Sequence, residues 1–412
     1  MFEYLSHIYD PRERLLVGLA DIGLSALAWP TRVFASRRPL QQPRRILLFR
    51  LERIGDLLMT LSALQAVKRT WPDAHVDLVV GSWNRDLASH LPWVDDVLVI
   101  DAPWLSRGPH QAWLRDVGRM VARWRRTDYA LAMNLEGDIR SNLLLALSGA
   151  RVRVGFPMAG GGSLLTHAVS HEPTRHTADN ALALVRVAAQ TFERTVPDDV
   201  DVYPTVPIPA DVVEGAGLIL RNAGWDGRSK LIGIHPSGGR AIKQWHGDRF
   251  GRVAGALAHT VGATIVFTGT AEEADAVRAA MAAVPDGVAV IDVGGKLDVL
   301  QLAAVLKSLT LYVTGDTGPM HLAAAMDTPV VALFGVSDPR RYAPRGRRTR
   351  VVRIDLPCSP CNRVRLPPVR CQGHVPDCLE GIHEDLVVAT ALELLRAHGD
   401  PMATRPGSSG SA

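Results

Sequence analysis

Cysteine is scarce in this chain, and it is confined. All four cysteines lie between Cys358 and Cys378. A secreted scaffold framed by disulfides spreads its cysteines along the chain, so that class is excluded. Aromatic residues are few, at 6%, and do not interleave with a basic stripe, so nucleic-acid recognition has no footprint. Long apolar runs are also missing. No stretch of about 18 uncharged apolar residues occurs, and no membrane-spanning helix is expected. A signal-peptide layout is absent, because Glu3, Asp10 and Glu13 interrupt the first residues and no small-residue cleavage site follows. A cytoplasmic location is the expectation. Gly-x-Ser-x-Gly, Gly-x-Gly-x-x-Gly and the Walker phosphate loop do not occur either, which weakens hydrolase, nicotinamide-oxidoreductase and NTPase readings.

What is present fits a globular protein. The 412 residues are 47% hydrophobic and 21% charged, enough for two core-bearing domains of about 150 residues each. The net charge of +4 comes with many arginines and few lysines. That balance suits an acidic small ligand or an anionic surface.

Residues 1–44 read as an addition to the main fold. Leu15 to Phe34 is largely apolar, and Arg37, Arg38, Arg44 and Arg45 follow. Two readings stand side by side. One is a helix packed on the body of the protein. The other is an amphipathic segment at the inner membrane face, with its arginines near anionic headgroups. From Arg45 onward, short apolar strands alternate with helical patterns. Arg45–Arg50, His75–Val80, Val97–Ile100 and Tyr129–Asn134 read as strands. Leu57–Arg69, Gln111–Trp124, Ile139–Leu147 and Ala178–Phe192 read as helices. This alternation predicts a parallel sheet covered on both faces. The proline-rich Tyr203–Pro209 reads as a linker. The pattern then restarts, with strands at Leu231–His235, Thr264–Thr268, Ala289–Val293, Leu311–Thr314 and Pro329–Phe334. The domains expected are therefore 45–208 and 209–398, with a disordered tail over 399–412. Ligands of such sheets bind at the carboxyl ends of strands, and with two halves the cleft between them is the expected site.

Three turns of the second half carry chemistry. The first holds Ser237, Gly238 and Lys243, with small residues for backbone donors and a mobile cation for phosphate. The second holds Glu272 and Glu273 just past a strand, where a carboxylate can accept ribose hydroxyls. An acidic first helical turn explains the same residues. The third is Gly315-Asp316-Thr317-Gly318-Pro319-Met320-His321, a strand end running into a helix start. Free amides and the dipole there can hold a diphosphate, and a capped helix with Asp316 or Thr317 as N-cap is the plain alternative. In the first half, Asp56 follows Gly55 at a helix start and reads on its own as an N-cap. Asn134 to Ser141 forms another polar turn, in which Arg140 can grip an anion or sugar hydroxyls. The cysteine spacing is one that zinc can use, but irregular proline-bearing loops favour buried or loop-tying thiols.

Taken together, Arg50-Leu51-Glu52-Arg53-Ile54-Gly55-Asp56, the Lys243-x-Trp245 turn and Gly315-Asp316-Thr317-Gly318-x-x-His321 resemble glycosyltransferase family 9, the lipopolysaccharide heptosyltransferases. The resemblance covers roughly residues 45 to 395, with its motifs in the family's order. The Cys358-x-Pro360-Cys361, Cys371 and Cys378 ending is also similar to that of some members.

The resemblance implies an α/β fold of GT-B type, two Rossmann-like domains with an interdomain cleft. It implies an inverting transfer from ADP-heptose to a lipopolysaccharide-core-type acceptor, without metal or other cofactor. It makes Asp56 the catalytic base in place of the N-cap. It gives the donor Lys243, Glu272, Leu297, Asp316, Thr317, Gly318 and His321, alongside Ser237 and Gly238. It sets Gly55, Glu136, Gly137 and Arg140 near the sugar or acceptor; Asn134 stands where many members carry Asp. The partners implied are a nucleotide sugar and a glycolipid at the inner face of the cytoplasmic membrane, with no nucleic acid, and the chain is expected to be a monomer. Two other readings compete: a GT-B transferase using another nucleotide sugar or acceptor, and a catalytically idle nucleotide-sugar-binding protein.

Overall fold

The computed structural model describes residues 5, 8, 10–33, 40–105 and 113–399. The expected tail from Pro401, the arginines at 37 and 38 and the first two residues of the expected Gln111–Trp124 helix lie outside these. The chain divides into two compact units, with the boundary between Val202 and Tyr203. The proline-rich segment goes with the second unit, where the Val206 amide donates to Ala325 O at 3.1 Å.

The first unit is built on six strands: β1 Arg45–Arg50, β2 His75–Val80, β3 Asp96–Val99, β4 Leu131–Asn134, β5 Val152–Gly155 and β6 His167–Ala168. Their spatial order is β3-β2-β1-β4-β5-β6, with every pairing parallel. β1 lies between β2 and β4, and Ile46, Leu47, Leu48 and Phe49 are all buried. Such an uninterrupted apolar run is what a strand covered on both faces requires. Leu47, Phe49, Val79 and Leu98 pack with Trp124, Leu144 and Leu145 in one core. The helix expected over Leu57–Arg69 is two helices, Ile54–Leu58 and Leu61–Thr70. Between them the Thr60 hydroxyl donates to Leu57 O at 2.7 Å and makes a turn.

The second unit repeats the plan with β7 Lys230–His235, β8 Ala263–Phe267, β9 Val290–Asp292, β10 Leu311–Gly315, β11 Val330–Leu333 and β12 Thr349–Val352. The order is β12-β11-β10-β7-β8-β9, again all parallel. Ile232, Ile234, Phe267, Val313 and Val331 share a core with Phe250, Leu257, Val387 and Leu394 from the covering helices. The closing helix runs Glu384–Ala397. In each unit β1 or β7 sits at the point where strand order reverses, and the loops at the carboxyl ends there are where ligands of open parallel sheets bind.

Ahead of the first unit's sheet, one long helix spans Pro11–Val33. It is attached to the loop after β5: Asp21 Oδ1 accepts the Gly161 amide at 2.7 Å. The packed-helix reading of this segment holds for that face. Among the described residues, no helix is long and apolar enough to cross a membrane.

Candidate active site

In the first unit the site begins with the loop after β1. Arg53 stands before the Ile54–Leu58 helix, and Asp56 is its third residue rather than its N-cap. The Asp56 carboxylate reaches back and accepts the Arg53 amide at 3.1 Å. Arg50, only 2% exposed, braces the same turn. Its Nε donates to Asp56 O at 3.0 Å and its Nη1 to Leu135 O at 2.8 Å. The guanidinium lies 3.0 Å from Glu52 and 3.6 Å from the Asp56 carboxylate. Asp56 remains partly open, with 32% of its side chain exposed. It is an ionisable carboxylate at a helix start, held by an arginine and an amide, and not sunk among apolar groups.

The loop after β4 supplies the neighbouring wall. Glu136 accepts the Leu51 amide at 3.2 Å, and the Ser141 hydroxyl donates to its other oxygen. Burial pushes the Glu136 carboxyl up to about 6, with Asp138 adding to the rise, against the pull of Ser141, Arg50 and Leu51. Gly137 has φ +81°, and a Cβ there would lie 2.9 Å from Phe156 Cβ, so only glycine fits. Asp138 caps the Ile139–Leu147 helix and grips Arg140 through two bonds, at 2.8 and 2.6 Å. Asn134 is buried and donates to Asn142 at 2.7 Å, which orients this turn from below.

Two further features were not read from the sequence. The Arg53 guanidinium stacks 5.2 Å over the ring of Trp83, in the loop after β2. The Arg140 guanidinium stacks 4.6 Å over Trp104, in the loop after β3. Arg53 also donates to Leu105 O at 2.9 Å, which ties the two stacks together. Four carboxyl-end loops therefore contribute one arginine or tryptophan each to these stacks. Trp83 and Trp104 are unremarked in sequence because the strand order, not the spacing, brings them to Arg53 and Arg140.

In the second unit the loops after β7 and β10 meet. Lys243 Nζ lies 2.9 Å from Asp316 Oδ2, and both side chains are largely buried. Gly238 lets this happen: a Cβ there would stand 2.4 Å from the Lys243 carbonyl. Gln244 closes the loop by accepting the Gly238 amide at 2.8 Å. The Gly318–Ala325 helix follows β10, with Thr317 at its N-cap position and Pro319 in its first turn. Thr317 makes no side-chain cap bond; its hydroxyl faces Thr314 at 3.2 Å instead. The cap expected from Asp316 or Thr317 is thus not formed, and Asp316 serves Lys243. His321 is buried within the first turn.

The turn after β8 separates its two glutamates. Glu273 accepts Ser237 Oγ at 2.5 Å and the Thr270 amide at 2.9 Å, and lies 3.9 Å from His235. Glu272 is exposed on the same turn. Burial pushes the His235 imidazole down, opposed by Glu273 and by the Thr268 carbonyl. Leu297, half-buried, sits in the turn after β9. That turn is stitched to its neighbour by the Gly295 amide donating to Gly269 O at 2.9 Å. The structure thus brings together Ser237, Gly238, Lys243 and Asp316, with Glu273 as the carboxylate wired into them.

Behind the Lys243 turn, Ile242, Val336 and Cys378 form a small apolar cluster joined by Cys361 and Cys371. All four cysteines are free thiols. Burial and the three neighbouring thiols push Cys378 up to about 11. Elsewhere among the described residues, His75, Asp77 and Asp96 bring ligand atoms within 4.8 Å of one another. They stand at the amino ends of β2 and β3, where Arg45 lies 3.6 Å from Asp77.

Comparison with known proteins decides the family. The family model described as glycosyltransferase family 9 (heptosyltransferase) matches residues 117–367. The chain belongs to glycosyltransferase family 9. This glycosyltransferase is 25% identical over 354 residues to lipopolysaccharide heptosyltransferase 2 of Salmonella typhimurium, covering 83% of the chain and 94% of that protein. Its fold is similar to a family 9 glycosyl transferase from Veillonella parvula, with a TM-score of 0.72 at 22% identity, covering 86% of this chain and 97% of that one. It is similar also to the Escherichia coli heptosyltransferase WaaC with ADP, with a TM-score of 0.62 at 20% identity, covering 85% and 99%. The two-domain α/β architecture of GT-B type is the family's. Residues 11–33 lie outside the part matched by the family model.

Proposed function

We propose that this glycosyltransferase moves a heptose from ADP-heptose to a lipopolysaccharide-core-type acceptor by a single inverting displacement, without a metal. The observation that carries the reading is the Lys243–Asp316 pair beside a helix start whose N-cap residue makes no side-chain cap bond. An ammonium has three donors. Asp316 takes one and fixes the group, which leaves the others for phosphate oxygens. The amides at Thr317 and Gly318, the dipole and His321 supply the remaining positive potential. Charge developing on departing ADP is then stabilised by groups already in place.

The first unit takes the acceptor. Asp56 removes the proton from the attacking hydroxyl, and Arg50 and the Arg53 amide hold the carboxylate in position. Gly55, Glu136, Gly137 and Arg140 form the polar wall against the sugar. On the donor side, Glu272 is assigned to the ribose hydroxyls and Leu297 to the base, while Glu273 holds Ser237 and the Thr270 amide. A glycolipid acceptor gives the enzyme a peripheral place on the inner face of the cytoplasmic membrane.

The test is a donor-plus-acceptor reaction read by mass. ADP-heptose with a deacylated core oligosaccharide should give a product one heptosyl unit heavier, and the rate should survive EDTA. A thermal-shift panel separates the donors. Stabilisation by ADP supports the reading; stabilisation by UDP or GDP alone replaces the donor, and no response to any nucleotide removes the transferase.

A further inference from the structure

The Pro11–Val33 helix has two unlike faces. Arg14, Val17, Gly18, Asp21 and Leu24 recur at helical spacing and are buried or half-buried. Along that side Asp21 accepts the Gly161 amide at 2.7 Å. Leu15, Leu16, Leu19 and Ile22 occupy the other side and are 48%, 68%, 56% and 58% exposed. A helix fully packed on its own protein shows polar residues on its outer face. Four large apolar side chains in one exposed stripe mark an interaction surface. The sequence that follows the stripe carries charge of one sign. From Ile22 to Arg44 the chain has no Asp or Glu, but carries Arg32, Arg37, Arg38 and Arg44.

We infer that the outward stripe of this helix seats the enzyme on an anionic lipid surface, with Leu15, Leu16, Leu19 and Ile22 entering the headgroup boundary and the arginines downstream meeting the headgroups. This deepens the peripheral placement proposed above and names the element responsible. The inner face carries the consequence. The loop holding Gly161 also holds Gly160, whose carbonyl accepts Asn142 Nδ2 at 3.0 Å. Asn142 accepts from Asn134, and Asn134 accepts the Glu136 amide at 3.1 Å. A short chain of bonds therefore joins the lipid-seated helix to the acceptor wall beside Asp56. The occupant is a lipid surface rather than a second copy, because the sequence following the apolar stripe is basic from Arg32 to Arg44 with no Asp or Glu among them, a like-charged run that two copies would bring together.

The experiment is flotation with vesicles of phosphatidylglycerol and phosphatidylethanolamine, compared with phosphatidylcholine vesicles. The proteins are the full chain and the Leu15→Ser, Leu16→Ser, Leu19→Ser, Ile22→Ser variant. The full chain should float with anionic vesicles, less so with neutral ones, and less so at high salt. The variant should lose at least about tenfold in partitioning, the scale expected for losing several interfacial apolar side chains. It should keep its melting temperature and its response to ADP, which read folding and the donor site without the membrane. Equal flotation of the two proteins overturns the inference. So does a wild type that stays in the dense layer, or one that is a dimer by light scattering and becomes a monomer on substitution. Loss of ADP response in both proteins with flotation intact would strike the transferase reading alone.

Discussion

Lys243 and Asp316 come from loops after different strands, yet their charged groups meet at 2.9 Å in a largely buried position. The carboxylate holds the ammonium against a helix start. In the proposed reaction, this pair is the hinge of donor binding. Lys243→Ala should weaken ADP by at least about tenfold, since charge-assisted bonds contribute about 1.5–3 kcal/mol. Isothermal titration with ADP measures it, and an unchanged dissociation constant refutes the phosphate contact.

Gly238 is the residue that lets these loops touch. A Cβ would stand 2.4 Å from the Lys243 carbonyl, a backbone group that cannot swing away. Gly238→Ala should cost about 1–3 kcal/mol, the usual range for overpacking, and should weaken ADP as well. Chemical denaturation alongside titration reads both effects.

Much of this was legible in the sequence. β1, β7 and β10 are short apolar runs closed by glycine-bearing turns, and that punctuation is local. The strands β5, β6 and β12 were not, because Val152–Gly155, His167–Ala168 and Thr349–Val352 are short and only partly apolar. The helix break after Leu58 was not legible either, because it goes with a single side-chain bond, from the Thr60 hydroxyl to Leu57 O. The bonds that tie Glu273 to Ser237 and Thr270 needed coordinates, since two adjacent carboxylates look alike in a string. The same holds for the arginine–tryptophan stacks, whose members are brought together by strand order.

Those stacks predict acceptor effects separable from donor effects. Trp104→Ala removes the surface under Arg140, a contact of about 0.5–2 kcal/mol. The acceptor KM should rise several-fold, and the ADP dissociation constant should not move. Steady-state kinetics with varied acceptor, paired with ADP titration, checks the split.

Glu136 predicts a pH signature. Burial lifts its carboxyl from 4.5 to about 6 in the folded chain. Between those values the folded state binds the extra proton, so this group's contribution to stability is present at low pH and is lost as pH rises through the window. Glu136→Gln abolishes the titration. The stability difference between the two proteins should change by up to about 2 kcal/mol from roughly pH 4.5 to 6.5 and then level off. Urea denaturation across pH gives the curve, and a difference flat over the whole range contradicts the buried carboxyl.

The most direct measurement is the turnover of Asp56→Ala beside its affinity for ADP. If Asp56 is the base, kcat should fall about 10²–10⁴-fold, with the ADP dissociation constant unchanged because Asp56 belongs to the other unit. A variant that keeps full turnover would contradict the account.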